Sequence, residues 1–205
     1  MNNILITQVV SFSKKKGFSL TLSKDWYEYA KKININLIPY DYIFSKNRLD
    51  QLNFKGVIFS GGNDLYKLNK KKENAMRDRN EIRLLKYVIA RKKPILGVCR
   101  GFQLISNYFN TPLIRKPNHV RVNHTLYLKN SKFIKAKALR VNSYHNYCIE
   151  NLSKKFNVVS RHLDNTIEIA ENIKKNILCL MFHPERKNFS QISINKYIKF
   201  FFKIK

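Results

Sequence analysis

The stretch Lys92-Lys93-Pro94-Ile95-Leu96-Gly97-Val98-Cys99-Arg100-Gly101-Phe102-Gln103 constrains the fold more than any other part of the chain. Ile95–Val98 is too short and too uniformly apolar for an amphipathic helix and predicts a buried parallel strand. From Arg100 onward, Phe102, Leu104, Ile105 and Tyr108 take up helical spacing. Between strand and helix, Gly97-x-Cys99-x-Gly101 is the thiol counterpart of the Gly-x-Ser-x-Gly elbow. So sharp a turn leaves no room for side chains two positions either side of the nucleophile. It also aims Cys99 at the first turn of the helix, whose unpaired N–H groups and partial positive charge favour a thiolate. A buried strand-end cysteine beside two turn glycines fits the same five residues, since short motifs match by chance.

A second stretch narrows the choice. Ile177–Phe182 predicts another buried strand, running straight into His183-Pro184-Glu185. A nucleophilic cysteine needs a base, and the base needs a group to hold its ring. Residues i and i+2 of an extended segment point the same way, so Glu185 can lie beside His183 with Pro184 stiffening the link. Alone, His-Pro-Glu also fits a surface turn after a strand. In order after the cysteine elbow it is far more specific.

Attack on a carbonyl also creates an oxyanion, which backbone N–H groups stabilise if nothing blocks their approach. The pair Gly61-Gly62, after the predicted strand Gly56–Phe59, offers that approach. A tight turn needing positive φ explains the pair equally well.

Together these motifs resemble the class I glutamine amidotransferase superfamily. Ser60-Gly61-Gly62-Asn63-Asp64, Arg77-Asp78-x-x-Glu81 and Val141-Asn142-Ser143-Tyr144-His145 are similar to its γ-glutamyl hydrolase branch. The resemblance runs from the Ile4–Gln8 strand to Glu185. Asn146 and Tyr147 depart from it, standing where the family often carries His or Gln, and 111–140 matches no motif of the family. The resemblance implies a catalytic triad of Cys99, His183 and Glu185, with oxyanion donors on the backbone of Gly62 and Arg100. It places Gly61, Gln103, Ser143, Tyr144 and His145 around the glutamyl moiety, and implies no metal or organic cofactor. The expected fold is α/β and flavodoxin-like: a mostly parallel sheet with helices on both faces and the site beyond the strands' carboxyl ends.

The 205 residues fit one domain, 1–205, and 44% apolar residues suffice for its core. Cys99, Cys148 and Cys179 are too few for a disulfide framework, and Cys148 and Cys179 lie in apolar surroundings expected to keep them inert. The start lacks a secretory pattern, and no run approaches the ~20 apolar residues of a membrane span. The expected location is cytoplasmic.

The formal charge of +27 admits three readings. Such a surface attracts polynucleotide phosphates. However, the lysines are scattered, with short runs at 14–16 and 70–72, and accompany no nucleic-acid motif. A composition rich in Lys, Asn, Ile, Phe and Tyr, as from AT-rich coding, explains the charge without a partner. A basic surface that draws in a small anionic substrate suits an enzyme best.

Along the chain, Ile4–Val10 predicts a strand, Ser11–Ser23 a polar loop, and Trp26, Tyr29, Ala30 and Ile33 a helix packed on the sheet. Asn36–Tyr40 is a short strand. Glu73–Ile89 is helical, with Ile82, Leu85, Val88 and Ile89 on one side and Arg77 and Glu81 spaced to pair along its face. Residues 111–140 hold His119 and His124, which at that spacing make a poor metal motif and are expected as solvated or core histidines. The same segment is expected to fold over the mouth of the site, where Arg115, Lys116 or Arg121 can grip a phosphate. Val158–Arg161, Thr166–Ala170 and Ile177–Phe182 read as strands and Ser190–Phe202 as a closing helix. The absence of a linker, with an end one helix past His183, leads us to expect no fused synthetase domain.

The expected activity is a cysteine hydrolase that releases glutamate from a γ-glutamyl amide or amine conjugate, with an anionic leaving group. The branch includes enzymes acting on γ-glutamyl-CDP-amidate in capsule phosphoramidate synthesis, and that is the sharpest expectation. One rival is a glutaminase subunit feeding ammonia to a separate synthase, with a homodimer or synthase partner. Another is a non-catalytic basic binding protein.

Overall fold

Each central strand of the molecule carries apolar side chains on both faces, because helices cover both. The computed structural model describes residues 2–204. Its amino-terminal part runs β1 (Asn3–Ile6), β2 (Val9–Ser13), β3 (Gly17–Thr21), α1 (Lys24–Ile33), β4 (Asn36–Pro39), α2 (Lys46–Gln51) and β5 (Gly56–Phe59). There follow α3 (Lys72–Ala90), β6 (Ile95–Val98), α4 (Arg100–Tyr108), β7 (Ile114–Arg115), β8 (Val120–Tyr127), β9 (Ala138–Tyr144) and β10 (Tyr147–Cys148). The chain closes with β11 (Asn157–Arg161), β12 (Ile167–Asn172), a helical turn at Ile173–Lys175, β13 (Ile177–Leu180) and α5 (Gln191–Phe201).

Seven strands form the main sheet in the order β11-β12-β13-β6-β5-β1-β4. From β13 to β4 the pairing is parallel, and β12 and β11 add an antiparallel edge. This is the expected mostly parallel α/β fold. Side chains of a strand alternate between faces. Ile4, Ile58, Leu96, Val98, Leu178 and Leu180 therefore meet Trp26, Tyr29 and Ile33 of α1 and Ile194 and Ile198 of α5. Leu5, Val57, Phe59, Ile95, Ile177 and Cys179 face the other way, onto Leu84, Leu85 and Val88 of α3 and Ile105 of α4. Each such buried aliphatic contributes about 1.5–3 kcal/mol, so the two layers hold the sheet rigid under the site.

Three segments differ from expectation. The strand expected over Ile4–Val10 ends at Ile6, and the polar loop expected over Ser11–Ser23 is largely a hairpin of β2 and β3. Phe12 and Phe18 pair across it at 5.0 Å between ring centroids, and Gly17 turns the chain at φ +70. Two aromatic residues opposite each other outweigh the polar residues around them. The short α2, capped by the Ser45 hydroxyl, carries too few apolar positions to signal a helix. The unassigned 111–140 region is mainly the β8–β9 hairpin, which packs Leu126, Leu139 and Val141 on the α1–α5 side. No helix among the described residues is long and apolar enough to cross a membrane.

Candidate active site

Cys99 follows β6 immediately and caps α4 with φ 50 and ψ −106, a conformation that costs a non-glycine residue about 1–3 kcal/mol. The sheet and helix on either side impose it. A Cβ on Gly101 would lie 2.0 Å from the Phe59 carbonyl oxygen, so only glycine lets α4 start this close to β5. No side chain caps α4, and its first-turn N–H groups are left to the space in front of Cys99.

His183 arrives from the neighbouring strand, since β13 pairs with β6 in parallel and ends level with it. Its Nδ1 lies 2.7 Å from Glu185 Oε1. Burial disfavours a charged imidazole here, but the Glu185 carboxylate and then the Cys99 sulfur outweigh it and carry the His183 pKa up to about 10. Gly61 of the β5 loop makes the meeting possible. A Cβ there would stand 2.7 Å from His183 Cε1 and 3.5 Å from Cys99 Cβ. Asn142 holds His183 in place from β9. Its Oδ1 accepts from the His183 N–H at 2.9 Å, and its Nδ2 donates to the His183 carbonyl at 2.8 Å.

The Gly61-Gly62 loop is anchored from beneath by Arg77, whose side chain is fully buried. Its guanidinium donates to the carbonyls of Ser60 at 3.0 Å, Gly61 at 3.0 Å and Gly62 at 2.9 Å. Across a planar trans peptide, C=O and the next N–H point in opposite directions. Drawing the Gly61 carbonyl onto Arg77 therefore turns the Gly62 N–H away from the guanidinium. Gly62 has φ +79, as a tight turn requires. Arg77 Nε donates to Glu81 at 2.8 Å, and Arg100 forms ion pairs with both Glu81 and Asp78. The pairing expected along the helix face forms, and Arg100 extends it into a buried network tying α3 to the first turn of α4. Burial works against the Glu81 carboxylate, yet Arg100 and Arg77 outweigh it and hold its pKa below the usual range.

Above these residues lies an open cleft of about 310 Å³, lined by Gly62, Asn63, Cys99, Gln103, Tyr144 and Arg186 among others. Larger hollows beside Arg83 and Tyr87 and beside Phe156 and Lys174 contain none of the three converging residues, and one between α1 and Gln191 reaches Glu185 but neither Cys99 nor His183. Gln103 donates through Nε2 to the Tyr147 carbonyl at 2.9 Å. Tyr144 presents its ring edge-on to His183 at 5.9 Å. The Ser143 hydroxyl does not reach the cleft, because it is buried and donates to the His119 carbonyl at 2.7 Å. The imidazole of His145 also turns inward, with Nδ1 3.5 Å from Cys148 Sγ. Alternation along β9 explains this in part: when Tyr144 faces out, Ser143 must face in.

The basic residues expected over the mouth are elsewhere. Arg115, Lys116 and Arg121 line no part of the cleft, and Lys116 pairs with Glu150. Besides the ion-paired Arg100, the cation at the cleft is Arg186, stacked over Tyr144 at 4.6 Å, which the sequence did not single out although it adjoins Glu185. Asn142 was also missed as the residue that holds His183. Its signal was a polar residue directly after Val141, where Leu139 and Val141 mark the buried positions of the strand. Cys148 and Cys179 are fully buried, and burial first of all pushes Cys148 up to about 12 and Cys179 well above the usual thiol range. The expectation of inert core thiols holds.

Similarity to known proteins agrees with this geometry. The chain is 34% identical over 170 residues to the gamma-glutamyl-CDP-amidate hydrolase of Campylobacter jejuni, covering 82% of this chain and 81% of that protein. A carbamoyl phosphate synthase small chain of Helicobacter hepaticus is 34% identical over 110 residues, 52% of this chain and 28% of that one. The crystal structure of a glutamine amidotransferase from Thermotoga maritima superposes with a TM-score of 0.67 at 15% identity, over 90% of this chain and 76% of that one. The last places the fold among glutamine amidotransferases. The family model for peptidase C26 matches residues 37–185, from β4 through Glu185. An elbow cysteine, a relative aligned over most of both chains and this family match lead to one conclusion: the chain belongs to the peptidase C26 family of class I glutamine amidotransferase-like hydrolases.

Proposed function

We propose that the protein hydrolyses γ-glutamyl-CDP-amidate to glutamate and CDP-amidate, in one domain, with Cys99 as nucleophile, His183 as acid–base and Glu185 as its orienter. The observation that carries this reading is the convergence of Cys99 and the His183–Glu185 pair on one side of Gly61. The Cys99 sulfur attacks the γ-carbonyl, and the N–H groups of Gly62 and Arg100 take the oxyanion. Collapse of the tetrahedral intermediate breaks the C–N bond as the His183 imidazolium gives its proton to the departing nitrogen. Water then attacks the thioester with His183 as base, freeing glutamate and the thiol. Gln103, Tyr144 and the backbone around Gly61 and His145 surround the glutamyl part. At ~310 Å³ the cleft is at the small end of ligand sites, so a bulky leaving group extends past its rim over Arg186.

Arg186 in place of the 111–140 basic residues gives a sharp test. Arg186→Ala should raise KM for γ-glutamyl-CDP-amidate about 10- to 150-fold, the worth of one charged hydrogen bond. It should leave hydrolysis of an uncharged γ-glutamyl amide nearly unchanged. Equal effects on both substrates, read from initial rates, would remove the anionic leaving group from this reading.

The raised pKa of His183 sets the pH dependence. Its folded value of about 10 lies above the usual 6.5, so the imidazolium persists through neutral pH and is lost as pH rises through 10. The alkaline limb of kcat/KM should therefore fall near pH 10. Glu185→Gln removes the leading favourable charge, so the limb should move down and kcat should drop roughly 10- to 100-fold. An unmoved limb in that variant would make Glu185 a turn residue only.

The second reading, a glutaminase subunit serving a separate synthase, draws on the likeness to a carbamoyl phosphate synthase small chain. Measuring glutamate release from glutamine and from a panel of γ-glutamyl conjugates separates the two. The conjugate should be preferred by at least tenfold in kcat/KM. Three unpaired, buried cysteines suit the reducing cytoplasm we propose as its location.

A further inference from the structure

Two buried polar atoms behind His183 have no partner, and one is an acceptor and the other a donor. The Glu185 side chain is 4% exposed, and its Oε1 is engaged by His183 Nδ1 at 2.7 Å. Its Oε2 has no hydrogen-bond partner among the described residues. Neither has the hydroxyl of Tyr29, a residue of α1 that is 2% exposed. Buried polar atoms are paired almost without exception, so each of these calls for a partner.

Both residues line one hollow of about 420 Å³, between α1 and the stretch from Glu185 to Gln191. Burial first, and then the charge of Glu185, raises the Tyr29 phenol above its usual pKa, so the hydroxyl keeps its proton and donates. The two atoms are not bonded to each other, so a link between them runs through a molecule in the hollow. On its walls Asp25 and Glu28 are matched by Lys32, Arg186 and Lys187, which favours no ion of either sign. Water fits better. The space far exceeds the ~30 Å³ share of one molecule, and the hydroxyl and carboxylate supply two of the 2–4 partners a buried water needs.

We propose that Tyr29 is a positioning residue for the triad: its hydroxyl donates to a water in this hollow, and that water donates to Glu185 Oε2. The proposal rests on the triad reading given above and extends it by one residue.

A carboxylate held by one oxygen swings about its last torsion, which is broad, and the His183 ring follows it. A second bond on Oε2 fixes the carboxylate plane. That sets the direction of the Nδ1–H bond and so the aim of the other ring nitrogen at Cys99. Misplacement of a reacting group is felt in the chemical step, and therefore in kcat. The hollow reaches neither Cys99 nor Gln103, so substrate binding does not depend on it. From the sequence, Tyr29 was expected only to pack α1 on the sheet. Its ring does so, edge-on to Trp26 at 6.1 Å, but helical spacing carries no information about where the hydroxyl ends.

The test compares Tyr29→Phe with wild type on an uncharged γ-glutamyl amide. The variant keeps the ring and should lose about tenfold in kcat, the lower end of a hydrogen bond to a charged group, with KM within about twofold. In Glu185→Ala nothing remains to be oriented, so adding Tyr29→Phe there should change kcat by less than about twofold. Proton NMR supplies a readout that needs no turnover. The low-field His183 Nδ1–H resonance should shift in Tyr29→Phe and be lost in Glu185→Ala. If no γ-glutamyl compound is turned over, the substrate reading fails and this resonance alone decides the role of Tyr29. A resonance that does not move, or a kcat that stays at the wild-type value, would overturn the proposal. So would an equal loss of kcat in both backgrounds, which would make Tyr29 a packing residue. A Tyr29→Phe protein that melts above wild type would overturn it too, because that is the behaviour of a buried hydroxyl with no partner at all.

Discussion

Cys99→Ala should lose at least about 10⁴-fold in kcat for γ-glutamyl hydrolysis, because no acyl-enzyme forms without the sulfur. Stability should change by no more than about 1 kcal/mol, since alanine inherits the same backbone strain at φ 50 and removes only one sulfur atom. A glutamine-like diazo-ketone should label Cys99 and spare Cys148 and Cys179, whose thiols burial keeps protonated. Mass analysis of the labelled peptides reads this directly. Residual turnover within tenfold of wild type, or label on either core cysteine, would move the chemistry elsewhere.

The other large effect is expected directly beneath the cleft. Arg77→Met should destabilise the fold by about 3–5 kcal/mol, read from urea unfolding, because Glu81 is left as a buried charge with one partner fewer. It should also cost kcat roughly 10²–10³-fold with little change in KM, the signature of a lost oxyanion donor. The reason is geometric: the guanidinium holds three successive carbonyls and so fixes the loop that carries the Gly62 N–H, the oxyanion donor we propose. Arg77→Lys keeps the charge but not the fork, and should recover stability more than kcat. If both variants lost stability and kept kcat, the network would serve the fold alone.

Much of the molecule was legible in order along the chain. The elbow at Cys99, the strand into His183 and the long α3 all rest on local patterns: apolar runs, helical spacing, and glycines where two elements touch. Such signals are carried by neighbours in sequence, so reading them requires no knowledge of contacts. The β2–β3 hairpin escaped because its evidence is one aromatic pair, Phe12 with Phe18, visible only once the strands face each other.

Sequence by itself determined which elements deliver the candidate residues: Cys99 after a strand, His183 and Glu185 after another, and Gly61-Gly62 after a third. Only the tertiary structure decided what each meets. It set Asn142 on the His183 backbone, Arg77 under three carbonyls and Arg186 at the cleft in place of Arg115, Lys116 and Arg121. It also drew His119, His124 and His145 onto Glu168. These outcomes depend on strand order and on which face each side chain takes. A parallel sheet settles both by packing two apolar layers at once, and residues far apart in the chain become neighbours only when that packing is complete.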